Sequence, residues 1–274
     1  MELKEFALEA FNIKIHGNYA QPKTTKGVVV LVHGFGEHAA RYQNSVVPML
    51  LSTSLAVVSY DNFGHGKSGG KRGHCPNYEA LLAILEMVIT KATNLFPNVP
   101  LFLYGHSMGG NLVLNYALRR KNGLKGVIAT SPYLRLAFQP PKWKMSIGKM
   151  MLNLMPSITL PSGLDSAGIS RIPEEVAKYK NDALVFDEVS PMYSFPIMDA
   201  GEWAIENAAQ LNVGTLLLHG TADPIIDCNG TKEFHQNSCK TTLKLFEGGF
   251  HELHHDLCKD EMLDTIKNWV KSKI

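Results

Sequence analysis

The sequence predicts one α/β domain with a mostly parallel central sheet, helices on both faces and an inserted cap. Short runs of β-branched and apolar residues alternate with segments of helical periodicity, which is typical of parallel strands joined by crossover helices. The alternation stops in a proline-rich stretch and then resumes, which indicates an insertion between core strands. With 274 residues, 45% of them hydrophobic, the chain is long enough to bury such a sheet.

The first half of the chain alternates strands and helices in the expected order. Residues 6–19 alternate loosely in hydropathy, which indicates a hairpin at the sheet edge. Residues 28–32 and 56–60 are continuous apolar runs, as expected for strands that are covered on both faces. A helix begins after Asn77, because apolar side chains then recur at helical spacing and asparagine is a good helix cap. A strand, a helix and a strand follow at residues 101–104, 111–119 and 126–130.

Residues 132–198 form the predicted cap, between core segments of residues 1–131 and 199–274. Eight of the 14 prolines fall in this stretch, which argues against further regular crossovers. The stretch also contains an amphipathic helix. The apolar face of this helix comprises Ile147, Met150, Met151, Leu154 and Met155. After the cap, the sequence predicts strands at residues 215–218 and 243–246 and helices at residues 231–236 and 260–271.

Residues 105–109 form a Gly-x-Ser-x-Gly motif between a predicted strand and a predicted helix. A nucleophile on a tight strand-to-helix turn needs glycines two positions away on each side, because the turn brings backbone segments together. The helix that follows directs its N-terminal amides toward a developing oxyanion. The pattern therefore predicts that Ser107 is the nucleophile of a serine hydrolase. The alternative is an ordinary glycine-rich turn with a surface serine.

Asp223 and His251 are the predicted acid and base, because each follows a late strand in the chain order serine, acid, histidine. The histidine would take the proton of Ser107 while the carboxylate holds the ring in one tautomer. Asp227, deeper in the same loop, is the alternative acid. The motif and the chain order together predict the α/β-hydrolase fold.

The backbone amides of Phe35 and Met108 are the predicted oxyanion hole. Acyl transfer needs hydrogen-bond donors for the negative charge that develops on the carbonyl oxygen. Met108 directly follows the nucleophile, and Phe35 lies in the glycine-containing loop after the strand at residues 28–32.

Two further motifs are rejected, so the sequence predicts neither a metal nor a cofactor. Residues 251–255 match the zinc pattern His-Glu-x-x-His, but the two glycines just before them would support a helix poorly. Residues 66–68 resemble the end of a phosphate-binding loop, but aspartate stands where the pattern requires its first glycine.

Charge and composition predict a cytoplasmic protein that does not bind nucleic acid. A net charge of +2 gives no basic footprint for nucleic acid. No apolar run reaches the ~18 residues of a membrane-spanning helix, and the N-terminus lacks an apolar signal core. The four cysteines show no Cys-x-x-Cys spacing, so we expect reduced thiols.

The chain resembles the monoacylglycerol lipase and lysophospholipase branch of the α/β-hydrolases, also described as serine aminopeptidase S33-like hydrolases. The resemblance covers nearly the whole chain and rests on residues 33–42, 61–68, 105–110, 219–223 and 247–254. It implies a cap over an apolar acyl channel. It also implies a small polar pocket for the glycerol group near Glu37, Arg41 and His254, with Tyr179 as a cap residue of that region.

The composition of the cap indicates a fatty acyl ester as the substrate. The residues with apolar surface beyond the packing needs of a short helix are Phe138, Trp143, Ile147, Met150, Met151, Leu154 and Met155. At ~0.8 kcal/mol per methylene, burial of an eight-carbon chain would contribute about 6 kcal/mol before losses. Met151 and Leu154 are therefore candidate substrate contacts.

Three lysines beside the same face, Lys142, Lys144 and Lys149, indicate peripheral contact with an anionic membrane surface. A helix packed inward with solvated lysines fits the same pattern, and this alternative stays open.

The sequence therefore predicts an esterase that binds a small amphiphilic ester and cleaves monoacylglycerols through an acyl-enzyme on Ser107. A lysophospholipase, a general carboxylesterase and a peptidase are alternatives with the same chemistry. A non-catalytic binding protein on this scaffold is the alternative without chemistry.

Overall fold

The computed structural model describes residues 2–121, 123–138 and 141–274, and it contains an eight-stranded sheet and a separate two-stranded pair. The strands are β1 (Lys4–Ala10), β2 (Ile13–Ala20), β3 (Gly27–Val32), β4 (Leu55–Tyr60), β5 (Leu101–His106), β6 (Gly126–Thr130), β7 (Leu160–Pro161), β8 (Glu188–Val189), β9 (Thr215–Gly220) and β10 (Thr241–Phe246). The large sheet has the order β1-β2-β4-β3-β5-β6-β9-β10, and only the β1–β2 and β2–β4 pairs are antiparallel. The predicted edge hairpin and parallel core are confirmed.

Helices cover both faces of the sheet. They are α1 (Val46–Ser52), α2 (Tyr78–Leu95), α3 (Met108–Arg119), α4 (Lys142–Leu154), α5 (Pro173–Asn181), α6 (Pro191–Glu206), α7 (Cys228–Gln236) and α8 (Lys259–Lys271). Alternate residues of β3 enter two cores. Val30 belongs to the core that includes residues of α2, α3, α6 and α7, whereas Leu31 belongs to the core that includes residues of α1 and α8. A strand buried on both faces has no polar side to show, which explains the continuous apolar run in its sequence.

Helix α3 begins at Met108, three residues earlier than its predicted start at Asn111. The intervening glycines are poor helix formers, so sequence periodicity did not include them. They are helical because this first turn presses against the sheet: a Cβ at Gly109 would lie 2.1 Å from the carbonyl oxygen of Val32.

The predicted end of the cap at residue 198 lies inside α6, which also packs on α2, α3 and α7 of the core. Pro191 and Pro196 suggested an irregular segment at this point. Pro191 occupies the first turn of α6, where its missing N–H has no helical partner to lose. We therefore propose that the cap comprises residues 132–190. None of the helices in the described residues has the length and apolar character needed to span a membrane.

Candidate active site

Ser107 lies on a sharp turn between β5 and α3. It has φ 52° and ψ −114°, a conformation that residues other than glycine rarely adopt. The turn brings its flanking glycines together, because a Cβ at Gly105 would lie 2.2 Å from the carbonyl oxygen of Gly109. This geometry matches the strained turn that exposes a nucleophile.

Asp223 and His251 are in direct contact. Nδ1 of His251 lies 2.7 Å from Oδ2 of Asp223, and both side chains are buried. The other carboxylate oxygen of Asp223 accepts the amides of Ile225 and Ile226 at 2.8 and 3.0 Å. The backbone just after β9 therefore fixes the carboxylate, which in turn orients the imidazole.

The electrostatics of this pair favour a charged carboxylate and a basic imidazole. Burial alone would raise the pKa of Asp223, but the contacts with His251 and His219 hold that pKa far below its ordinary value. Burial alone would lower the pKa of His251, but the charge and hydrogen bond of Asp223 raise it above 6.5. A histidine so placed can hold a proton during the reaction.

Ser107 and His251 line the same cavity. In the described chain, no hydrogen bond joins the hydroxyl of Ser107 to the imidazole. Such contacts are often long in enzymes without substrate and tighten in the reacting complex. The roles of Ser107, Asp223 and His251 as a catalytic triad therefore stay a prediction that this geometry permits.

Asp227, the alternative acid, is a helix cap. Its carboxylate accepts a hydrogen bond from the amide of Asn229 at 2.9 Å, and the residue caps the N-terminus of α7. The carboxylate in contact with His251 is that of Asp223.

The predicted oxyanion donors are the amides of Phe35, in the loop after β3, and of Met108, directly after the nucleophile. Phe35 lines the cavity together with Ser107, and Met108 is the first residue of α3. Neither the amide of Phe35 nor that of Met108 donates a hydrogen bond within the described residues. The oxyanion hole stays a prediction, to which the lack of a protein acceptor at both amides lends support.

The cavity has a volume of about 480 Å³ and a mainly apolar wall. Ligand sites for small molecules typically enclose ~300–1,000 Å³, so the space suits a ligand of moderate size. Its wall combines residues of the core with residues of the cap, including Met145 and Met151 of α4. Met151 is thus placed where a substrate contact was predicted.

Leu154, the second candidate for a substrate contact on α4, lies away from this cavity. Its side chain is 71% exposed and does not line the cavity. Helix α4 turns Met145, Gly148 and Met151 inward, because Gly148 lets the helix approach Phe195 of α6: a Cβ there would lie 2.5 Å from that ring. The strongest apolar stripe of α4 faces solvent instead, and its members are Trp143, Ile147, Met150 and Leu154.

Lys149 is exposed on the same helix. The side chains of Lys142 and Lys144, which the sequence analysis also placed beside the apolar face, lie outside the described residues.

The polar pocket stays a prediction, and only some of its residues line the cavity. Glu37 and Tyr179 line the cavity, but Arg41 does not. Nε of Arg41 donates to Oε2 of Glu37 at 2.9 Å, its other end pairs with Glu252, and its guanidinium lies 4.6 Å from the centre of the Tyr179 ring. Arg41 therefore supports two residues of the cavity wall, Glu37 and Tyr179, and does not line the cavity itself.

His254, the third residue predicted near the glycerol pocket, also lies away from the cavity. The side chain is fully buried, does not line the cavity, and stacks on Tyr42 with 4.7 Å between ring centres. Its neighbours in the resemblance motif do reach the cavity, but His254 lies in the 3₁₀ turn Leu253–His255, which directs it into the core.

This short turn also bears on the zinc pattern. Residues 253–255 form a 3₁₀ turn, so the two outer histidines do not share one face of an α-helix as that pattern requires. Ligand atoms of Glu252, His254 and His255 lie within 4.8 Å of one another. The guanidinium of Arg41 already contacts Glu252 and approaches Nδ1 of His255 to 3.2 Å, which fills this cluster with a cation of the protein.

Sequence reasoning missed several residues that support the site. His219 contacts Asp223, the hydroxyl of Ser131 donates to the carbonyl oxygen of His251 at 2.8 Å, and His65 accepts an amide from the loop of Phe35. His219 and His65 both stood in motifs of the resemblance, but a motif gives no side-chain partner.

Comparisons with known proteins agree with the fold. The family described as serine aminopeptidase, S33, matches residues 23–258. An uncharacterized abhydrolase domain-containing protein of Dictyostelium discoideum is 34% identical over 90% of this chain, which spans only 26% of that longer protein. The monoacylglycerol lipase of Mycolicibacterium smegmatis is 30% identical over 91% of this chain and 89% of its own length.

A solved structure gives the same result in three dimensions. The crystal structure of Paleococcus ferrophilus monoacylglycerol lipase matches with a TM-score of 0.86 and 32% identity, over 100% of both chains. The chain therefore belongs to the serine aminopeptidase S33 family of α/β-hydrolases, in its monoacylglycerol lipase-like branch.

Proposed function

We propose that this chain hydrolyses the ester bond of monoacylglycerols through an acyl-enzyme on Ser107. The observation that carries the proposal is the 2.7 Å contact between Asp223 and His251, together with a strained serine that shares the wall of a mainly apolar cavity with that histidine. The monoacylglycerol lipases to which the chain is similar support the choice of substrate.

The reaction would proceed in two steps. The hydroxyl of Ser107 attacks the ester carbonyl while His251 takes its proton and passes it to the glycerol oxygen that leaves. Water then attacks the acyl-enzyme, with His251 again as the base, and releases the fatty acid. In both steps the amides of Phe35 and Met108 would stabilise the oxyanion, and Asp223 stays ionised.

Glu37 would bind a hydroxyl of the glycerol group. Its carboxylate accepts the amide of Gly34, the hydroxyl of Tyr42 and Nε of Arg41. A carboxylate offers about four acceptor positions, so one remains for a ligand at the cavity wall. Three fixed protein donors also hold Glu37 in a single orientation, which favours recognition of a hydroxyl in one position.

The charge of the cavity favours a neutral head group over a phosphate. Its described wall includes no lysine or arginine, whereas Glu37, Glu252, Asp165 and Asp187 all line it. Burial alone would raise the pKa of Glu37 and Glu252, but Arg41 keeps each below its ordinary value, so both are ionised. The phosphate of a lysophospholipid would lie near these carboxylates with no lysine or arginine of the wall to pair with it. This disfavours the lysophospholipase alternative.

We also propose that the cap contacts lipid surfaces through α4. Its exposed stripe of Trp143, Ile147, Met150 and Leu154 lies on the outside of the cap. Clustered exposed apolar side chains beside an exposed lysine, here Lys149, are typical of helices that lie at a membrane interface. Contact at this helix would bring the substrate supply next to the cavity that Met151 lines.

A substrate panel tests the proposal. We expect the purified chain to hydrolyse 1-monoacylglycerols with a kcat/KM that rises with acyl length, and to act at least ten-fold more slowly on lysophosphatidic acid of the same acyl chain. Ser107→Ala is the matched control and should abolish hydrolysis. Equal rates on acetyl and decanoyl glycerol, a preference for the phosphate ester, or cleavage of aminoacyl amides in preference to esters would contradict it.

A further inference from the structure

We propose that His65 is a positioning residue for the oxyanion hole, because its imidazole accepts the amide of Gly36 and thereby holds the loop that presents the amide of Phe35. This inference rests on the proposed serine hydrolase chemistry and adds to it a residue outside the triad and its oxyanion donors.

The amides of Gly34, Phe35 and Gly36 follow one another in the loop and differ in their hydrogen bonds. Gly34 donates to Oε1 of Glu37 at 2.6 Å, and Gly36 donates to Nε2 of His65 at 3.1 Å. The amide of Phe35 between them has no acceptor in the described residues. Anchors on both sides fix the plane of the free donor, which is the arrangement that a preorganised oxyanion hole needs.

The tautomer of His65 follows from its second contact. Nδ1 of His65 lies 2.8 Å from the carbonyl oxygen of Phe63, which can only accept, so Nδ1 carries the hydrogen and Nε2 is the acceptor for Gly36. The ring is fully buried. Burial and the neighbouring His33 hold the pKa of His65 well below its ordinary value, so the neutral acceptor form persists.

The cap anchors the other side of Gly36. The carbonyl oxygen of Gly36 accepts the amide of Phe186 at 2.9 Å. Gly36 has φ 76°, and a Cβ there would lie 2.5 Å from the carbonyl oxygen of Phe186, so only glycine allows this approach. His65 therefore completes a two-sided clamp on Gly36, one side from the core and one from the cap.

Loss of His65 would leave the buried amide of Gly36 without an acceptor and free the loop to turn toward another one. A shift of even about 1 Å in a donor can cost ~100-fold in rate, and the affected state is the one with an oxyanion. Binding of the uncharged ground state should change little, since it does not depend on that donor.

The test compares two ligands in His65→Leu, which removes the acceptor, and His65→Gln, which restores an acceptor oxygen at similar reach. The ligands are an alkyl trifluoromethyl ketone, which forms a tetrahedral oxyanion on the serine, and an alkyl glycerol ether, which binds without reacting. The matched control is His235→Gln. His235 lies in α7, forms a hydrogen bond with the hydroxyl of Thr241 and does not line the cavity.

We expect His65→Leu to weaken binding of the ketone about 100-fold or more and to lower kcat by a similar factor. The affinity of His65→Leu for the ether should stay within about two-fold of the wild-type value. His65→Gln should bind the ketone at least ten-fold more tightly than His65→Leu does. Unchanged ketone affinity in a folded His65→Leu, or equal losses for both ligands in both variants, would overturn the proposal. If His65→Leu does not fold, a His65→Gln variant that loses affinity for both ligands by the same factor would overturn it too.

The rate of labelling by a fluorophosphonate separates this inference from the proposed substrate. A wild-type protein that labels rapidly but leaves monoacylglycerols intact would contradict the proposed function alone. A slower labelling rate in His65→Leu would still support His65 in that case, whereas an equal rate would contradict it.

Discussion

Nε2 of His219 lies 3.1 Å from Oδ2 of Asp223, the same oxygen that His251 contacts. The second nitrogen of His219 lies 2.7 Å from the hydroxyl of Thr231, which can donate to it and leave Nε2 as the donor toward the carboxylate. The proposed catalytic acid is thus held by two imidazoles on one oxygen and two amides on the other. Every one of these donors comes from β9, α7 or the loops beside them, apart from His251 itself.

Replacement of His219 by leucine should weaken catalysis without removing it. A hydrogen bond to a charged group contributes about 1.5–3 kcal/mol, so we expect kcat to fall about 10- to 100-fold while KM changes little. Steady-state kinetics on one monoacylglycerol measures this. A loss confined to KM would show that His219 acts on substrate binding and not through Asp223.

Asp223→Asn and Asp227→Asn form a matched pair within one loop. We expect Asp223→Asn to lower kcat about 10⁴-fold, because an amide can hold the wrong tautomer of His251. Asp227→Asn should retain activity, since asparagine caps a helix as well as aspartate does. If Asp227→Asn is the inactive variant of the two, the acid has been assigned to the wrong carboxylate.

The dependence of kcat/KM on pH should report the base in the free enzyme. The pKa of His251 is raised above 6.5 by Asp223, and the histidine must be neutral to accept a proton. Activity should therefore fall as the pH decreases, with a midpoint above 6.5 and not below it. A midpoint near 4 on a substrate that does not titrate would point to a carboxylate as the base.

Met151→Ser and Leu154→Ser separate the two faces of α4. Met151 lines the cavity, so its replacement should lower kcat/KM for long-chain monoacylglycerols by about ten-fold or more and spare short-chain esters. Leu154 is exposed, so its replacement should leave turnover of a short soluble ester unchanged and reduce flotation with anionic liposomes. The reverse pattern, or no flotation of the wild type, would contradict the proposed lipid contact.

The sequence predicted best those features that depend on neighbours along the chain. The buried run of β3, the turn around Ser107 and the order of Ser107, Asp223 and His251 need no knowledge of distant contacts. The amphipathic pattern of α4 also predicted a helix correctly, but periodicity defines a stripe and not what covers it. Leu154 was therefore assigned to the cavity although Gly148 turns the opposite side of the helix inward.

Arg41 and His254 show the second limit of sequence reasoning. Arg41 is held by Glu252, which is 211 residues away in the chain, and His254 is buried by stacking on Tyr42. Neither contact follows from a motif, so both residues were placed with the substrate. In α6, Pro191 occupies a first-turn position that tolerates proline, but Pro196 lies inside the helix, so the prolines gave no sign that a regular helix continues there.

The proposed mechanism requires Ser107 to be the residue that forms the covalent bond. Incubation with a fluorophosphonate, followed by intact-mass analysis and peptide mapping, measures this. We expect one adduct per chain on the peptide with Ser107, in proportion to the loss of monoacylglycerol hydrolysis, and no adduct on Ser107→Ala. Full loss of hydrolysis with the adduct on another residue, or hydrolysis by Ser107→Ala at the wild-type rate, would contradict it.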